Sequence, residues 1–152
     1  DWLVIGVGSE ENAADQIKHY QKFTVNIPDE SLMLEMEQAG FISHREKIAK
    51  LGLNFQPSKL TQAPILNACP VVLDCEVDRI IEEDGICHIF AKILDRLAES
   101  DLLDDKGHFR NDSFAPTYFM GDGHKRVYRY LDNRVDPMGS FIKKARKRDE
   151  KS

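Results

Sequence analysis

The stretch Leu3–Pro28, LVIGVGSEENAADQIKHYQKFTVNIP, decides the fold. An apolar run, Leu3–Val7, enters Gly6-Val7-Gly8-Ser9 and reads as a buried strand. Glu10–Tyr20 follows as a helix, with acidic residues in its first turn and Ala14, Ile17 and Tyr20 directed inward. Phe23–Ile27 is a second strand, stopped by Pro28. A glycine-bearing turn therefore stands directly before a helix N-terminus. Free backbone N–H groups and the positive end of the helix dipole make such a turn a seat for an anion. Gly8, Ser9 and Asn12 are the candidate donors, and the ordinary alternative is a Ser/Asn-capped turn without a ligand.

The turn does not belong to a dinucleotide-binding fold. Gly6 and Gly8 match the first two glycines of G-x-G-x-x-G, but Glu11 stands where the third belongs, and no strand–helix–strand alternation follows. The rest of the chain is strand-rich. Ser31–Ala39 reads as a short amphipathic helix with Leu32, Met36 and Ala39 on one side and Gly40 just past its end. Ser43 and Glu46 have the spacing of a capping box, and Gly52 closes the helix they start. Pro57 to Pro70 is proline-punctuated and expected to be extended. Val71–Ile80 alternates, with Val71, Leu73, Cys75 and Val77 on one face and Asp74, Glu76 and Asp78 on the other, the pattern of a half-solvated strand. Glu83-Asp84-Gly85 is a hairpin turn, and Ile86–Leu94 is the returning strand. Asp105-Lys106-Gly107 marks another turn. Tyr118, Phe119, Tyr128 and Tyr130 fit a core, a ring-binding wall or a dimer contact. Residues 141–152 form a basic polar tail expected to fray. Adjacent antiparallel strands with few helices indicate a mainly β fold, a barrel with short inserted helices.

Composition narrows the function. At 152 residues the chain is expected to form a single domain over 1–152, with enough length for a true core. A net charge of −5 does not favour nucleic acid as a partner. The apolar runs are too short to span a bilayer, and Asp1-Trp2 is no signal-peptide opening, so no membrane partner is expected. Three cysteines, an odd number, argue against a disulfide framework and for a reducing cytoplasm. Cys69 and Cys75 lack C-x-x-C spacing, and Cys75 falls on the apolar strand face, so both read as small buried residues. Cys87 and His88 are adjacent on a strand and point to opposite faces, which rules out a shared metal. The five histidines show no zinc spacing, so no metal site is expected.

Four segments, in order, carry a resemblance to a known family. They are the strand–GVG–helix–FTVNIP unit; Gly40-Phe41-Ile42-Ser43-His44-Arg45-Glu46-Lys47-Ile48 with Gly52-Leu53; Ala63-Pro64-Ile65 followed by Ala68-Cys69-Pro70-Val71-Val72-Leu73-Asp74-Cys75-Glu76-Val77; and Pro116-Thr117-Tyr118 with Gly121 and Tyr128 beyond it. Together they span about Leu3 to Tyr130, and the chain resembles the flavin reductase-like family, the FMN-binding split barrels of flavoredoxin type. The resemblance implies a Greek-key split β-barrel, a homodimer with flavin at the subunit interface, FMN (or FAD) as cofactor, reduced nicotinamide, NAD(P)H, as electron donor and an electron-acceptor protein as a further partner. It implies an oxidoreductase that passes hydride to the flavin, or else a non-catalytic flavin-binding or flavin-less dimeric scaffold of the same fold. It makes Gly8, Ser9, Asn12, Ser43, Arg45, Lys47 and His88 the cofactor-binding candidates and assigns no catalytic residue. Arg45 suits a bidentate phosphate contact and Lys47 a point-charge one.

The chain departs from the family pattern in several places. Ala13 replaces a frequent Thr, and His44 and Glu46 replace Gly and Asp. A His–x4–Gly pattern on the return strand falls on Ile86 and Ala91, with His88 two residues further along the same face. The family's first strands would lie before Asp1, so a preceding segment is expected.

Overall fold

The computed structural model describes residues 1–41, 51–121, 124–132 and 134–149. Its frame is a curled, four-stranded antiparallel sheet in the order β1-β6-β5-β2. β1 is Trp2–Gly8, α1 Asn12–Tyr20 and β2 Lys22–Ile27. α2 is Met33–Phe41, preceded by a 3-10 turn over Glu30–Leu32. β3 (Phe55–Pro57) and β4 (Pro64–Leu66) form a small separate pair. β5 (Val71–Glu83) and β6 (Ile86–Ala98) are the long central strands. A second small pair, β7 (Tyr118–Gly121) and β8 (Arg126–Arg129), and a helix, α3 (Ser140–Asp149), follow.

The hairpin joining β5 and β6 organises the sheet. Glu83 pairs with Ile86, so the loop has two residues, Asp84 and Gly85. Both have positive φ, 50° and 76°, the type I′ geometry whose twist matches that of the strands it joins. β1 then pairs along β6, with Ile5 opposite Ile89 and Val7 opposite Cys87, and β2 pairs along β5.

The core lies on the inner face. Cys75, Cys87, Ile89 and Ala91 are fully covered, and Ala14, Ile17 and Phe23 close over them from α1 and β2. Ala14 and Ile17 therefore face inward as their spacing requires, whereas Tyr20 is 62% exposed, because Gln21 leaves the helix in the left-handed conformation and turns the chain away at that point.

Other expectations change. α2 runs through Gly40 to Phe41, so Gly40 is a helical residue and not its terminator. The Pro57–Pro70 segment is not simply extended: it folds back as the β3–β4 pair around a loop. β5 does not alternate as its sequence does, because the pairing register shifts between Asp74 and Cys75 and again between Val77 and Arg79. Asp74 is consequently not solvated but 1% exposed. Tyr118, Phe119 and Tyr130 are exposed and not core; Phe119 and Tyr128 meet edge to face at 5.7 Å across β7–β8. The basic segment after Gly139 is helical through Asp149.

Asp74 holds the 58–63 loop onto the sheet. Its carboxylate accepts from the Thr61 backbone N–H (3.3 Å) and from the Thr61 hydroxyl. Thr61 Oγ1 lies 2.9 Å from Ser58 Oγ and accepts from Ala63 N–H (3.1 Å), and Ser58 N–H donates to Ala63 O (2.9 Å). A buried carboxylate is tolerated only with such donors. Replacing Asp74 with Ala removes both of its bonds to Thr61 from a buried site and leaves Ser58 Oγ as the remaining partner of the Thr61 N–H (3.2 Å) and hydroxyl (2.9 Å). The expected result is a loss of about 2–3 kcal/mol of unfolding free energy in urea denaturation, while Asp78→Ala on the same strand, which is exposed, stays within about 0.5 kcal/mol.

Candidate functional site

Gly8 ends β1 opposite Ile86, and a Cβ built on it would lie 3.0 Å from Glu11 Cγ, so the tight turn uses the absence of a side chain there. Ser9 N–H donates to Gly85 O (2.8 Å), tying this turn to the β5–β6 hairpin, and Glu11 N–H donates to Gly8 O (3.0 Å). The helix begins two residues later than the expected Glu10: Glu11 is the N-cap and its side chain makes no capping bond, while Asn12 is the first helical residue. Neither Ser9 nor Asn12 caps α1. The Asn12 and Ala13 amides have no acceptor among the described residues, which leaves two donors at the positive end of the helix.

The surroundings of those donors are acidic. Glu10 and Glu11 flank them in the turn, and the Ser9–Gly85 bond brings Glu82, Glu83 and Asp84 alongside. Lys18, one helix face away, is held by Glu82 at 2.8 Å. That bond lowers the Glu82 carboxyl below its ordinary range and raises the Lys18 ammonium above its own. The cation nearest the turn on α1 is thus engaged with a carboxylate.

His88 lies on β6 at the same end of the sheet, on the outer face. It pairs with Gly6 on one side and Ile81 on the other. Cys87, its neighbour, points to the core, as strand alternation requires. Gly6 and Gly8, opposite His88 and Ile86, present no side chain on this face of β1, and the Ile86 side chain lies over Gly6, 3.5 Å from where a Cβ would stand. The structure thus brings Gly8, Ser9, Asn12 and His88 to one end of the sheet. Ser43, Arg45 and Lys47 lie outside the described residues.

Two features were not legible from the sequence. A cleft of about 700 Å³ lies between Ile17 and Tyr20 of α1, Phe23 of β2 and Ala63 and Pro64 of the 58–63 loop and its exit. It sits at the C-terminal end of α1, roughly 13 Å along the helix from the turn, and separate from the site above. The outer sheet face carries Arg79 stacked 4.1 Å over the Phe90 ring and Lys92 5.6 Å over the Trp2 ring. Only the cross-strand register, which the sequence does not print, brings these pairs together.

Residues 2–116 match the model of the flavin reductase like domain, and the chain belongs to that family. Its fold is the split barrel with short inserted helices of the flavin reductases and flavoredoxins. Among curated proteins it is 22% identical over 137 residues to uncharacterized protein YdfE of Bacillus subtilis (strain 168), covering 78% of this chain and 66% of that protein; the chain spans just under two thirds of that relative's length. The 2-nitrobenzoate 2-nitroreductase NbaA of Pseudomonas fluorescens superposes with a TM-score of 0.78 at 23% identity, covering 89% of this chain and 67% of that one. Flavoredoxin of Desulfovibrio vulgaris (Miyazaki F) superposes with a TM-score of 0.77 at 22% identity, covering 90% and 74%. Membership gives the chain a flavin-related function. No helix among the described residues is long and apolar enough to cross a membrane, and no metal-ligating cluster occurs among them.

The cysteines are unpaired and buried. Burial raises the Cys69 and Cys75 thiols to about 11, so neither is a thiolate at neutral pH. For an acid whose folded pKa lies above its unfolded value, stability is retained at low pH and lost as pH rises. The unfolding free energy should therefore fall between about pH 9 and pH 11. Urea midpoints at pH 8 and pH 10.5 check this: Cys75→Ala should show a shallower fall than the parent, and an identical fall would contradict it.

Proposed function

We propose that the chain is an FMN-binding flavoprotein, an NAD(P)H-dependent flavin reductase, working as a homodimer with the flavin at the subunit interface. One observation carries this reading: in a chain of the flavin reductase like family, the free Asn12 and Ala13 amides on the inner side and His88 on the outer face lie at the same end of the sheet, on either side of the edge strand β1. Bound FMN would accept hydride from a reduced nicotinamide and hand the electrons on to a protein or small-molecule acceptor. The chain's own part is positioning. The amides at the start of α1 would hold the phosphate, with Ser9 beside them. His88 would donate to the flavin or stack beside its ring. Arg45 and Lys47 are the cations proposed for the phosphate.

The donor set fits a phosphate, while Glu10, Glu11, Glu83 and Asp84 around it oppose a dianion. That acidic surround, together with Ala13 in place of a hydroxyl, favours a second reading: a split barrel that binds flavin weakly or serves as a dimeric scaffold.

Purified protein mixed with FMN and desalted should keep the yellow flavin absorbance and oxidise NADH or NADPH steadily. His88→Ala should raise the FMN Kd about fivefold, the equivalent of one hydrogen bond of about 1 kcal/mol. Absence of both colour and flavin-dependent NAD(P)H turnover would leave only the scaffold.

A further inference from the structure

α3 is a basic helix with nothing covering it. Phe141 is 68% and Ile142 61% exposed, and with Ala145 they share one side of the helix. Lys143, Lys144 and Arg146 flank that side. Lys144 is engaged locally, with Asp136 at 3.1 Å; Lys143 and Arg146 have no ion pair among the described residues. Residues 140–152 hold six Lys or Arg and two Asp or Glu, so residues 1–139 hold 15 basic against 24 acidic side chains. The helix is thus opposite in charge to the body that carries it.

The body presents a surface of matching character. Ile81 and Ile86 are exposed on the outer sheet face, next to the side-chain-free stretch at Gly6 and Gly8. Glu10, Glu11, Glu83 and Asp84 border this patch, and all are exposed. An apolar strip with a basic border therefore meets an apolar patch with an acidic border. Complementarity in both respects gives register as well as attraction.

We propose that α3 of one copy docks on the Ile81–Ile86 patch and acidic rim of a second copy. Phe141 and Ile142 cover Ile81 and Ile86, and Lys143 and Arg146 face Glu10, Glu11 and Glu83. Ile81 pairs with His88 and Ile86 lies over Gly6, so the docked helix and a flavin ring at His88 compete for one surface, while the helix neutralises the carboxylates that border it. This rests on the homodimer reading above.

The test is zero-length carbodiimide crosslinking of a 1:1 mixture of 14N- and 15N-labelled full chain, read by mass spectrometry beside sedimentation velocity. The expected result is mixed-isotope crosslinks from Lys143 or Lys144 to Glu10, Glu11 or Glu83, lost in 1 M salt, where the Debye length is about 3 Å. The variant K143E/K144E/R146E should weaken the dimer roughly tenfold or more, and adding E10K/E83K should restore it. These substitutions lie on exposed positions and leave the core intact. A dimer whose crosslinks from α3 are absent or only within one copy overturns this docking but leaves the homodimer standing. A monomer at all concentrations overturns both.

Discussion

The two-residue turn Asp84-Gly85 is the constraint on which the rest depends. Its paired positive φ angles set the twist and register of two thirteen-residue strands. β1 and β2 have no partner but these strands in the main sheet. A one-residue slip would send Cys87, Ile89 and Ala91 outward and His88 inward. The core would lose its floor and the candidate site its imidazole together. The Ser9–Gly85 hydrogen bond then uses the same turn to anchor the start of α1. Hairpin, core and site are therefore one structural decision.

Around that frame, polar burial does the work that a larger core would otherwise do. Asp74 fastens a loop thirteen residues away in sequence. Thr24 and Asn26 of β2 reinforce it: the Thr24 hydroxyl donates to Pro64 O, and Asn26 Oδ1 accepts from Leu66 N–H at 2.8 Å. The β3–β4 pair is thus held on the sheet by side-chain hydrogen bonds from two strands. Each is worth little alone, and the buried Asp74–Thr61 bonds cost the most when broken because their partners are left away from water.

What the sequence shows follows from the range of the forces involved. The β1–α1–β2 unit, the Asp84-Gly85 turn and the opposite facing of Cys87 and His88 depend on neighbouring residues, and all were legible. Asp74 was not, because its burial comes from a register shift and from a distant loop. Gly40 reads as a terminator, yet its helix continues to Phe41. Tyr20 fits the inward stripe, but the helix ends before its ring meets the core. At the candidate site, Gly8, Ser9 and Asn12 were visible as a turn. That Glu82, Glu83 and Asp84 lie beside them requires the Ser9–Gly85 contact, 76 residues apart, which no local pattern announces.

The central claim is that flavin is held where α1 begins and beside His88. Titration of 15N-labelled protein with FMN, followed through backbone amide shifts, tests it directly. The account expects the largest shifts at Asn12, Ala13 and His88, with Gly6 and Gly8 following. Shifts concentrated at Tyr20, Lys22 and Gln62 would move the ligand to the cleft at the other end of α1, and would contradict the account.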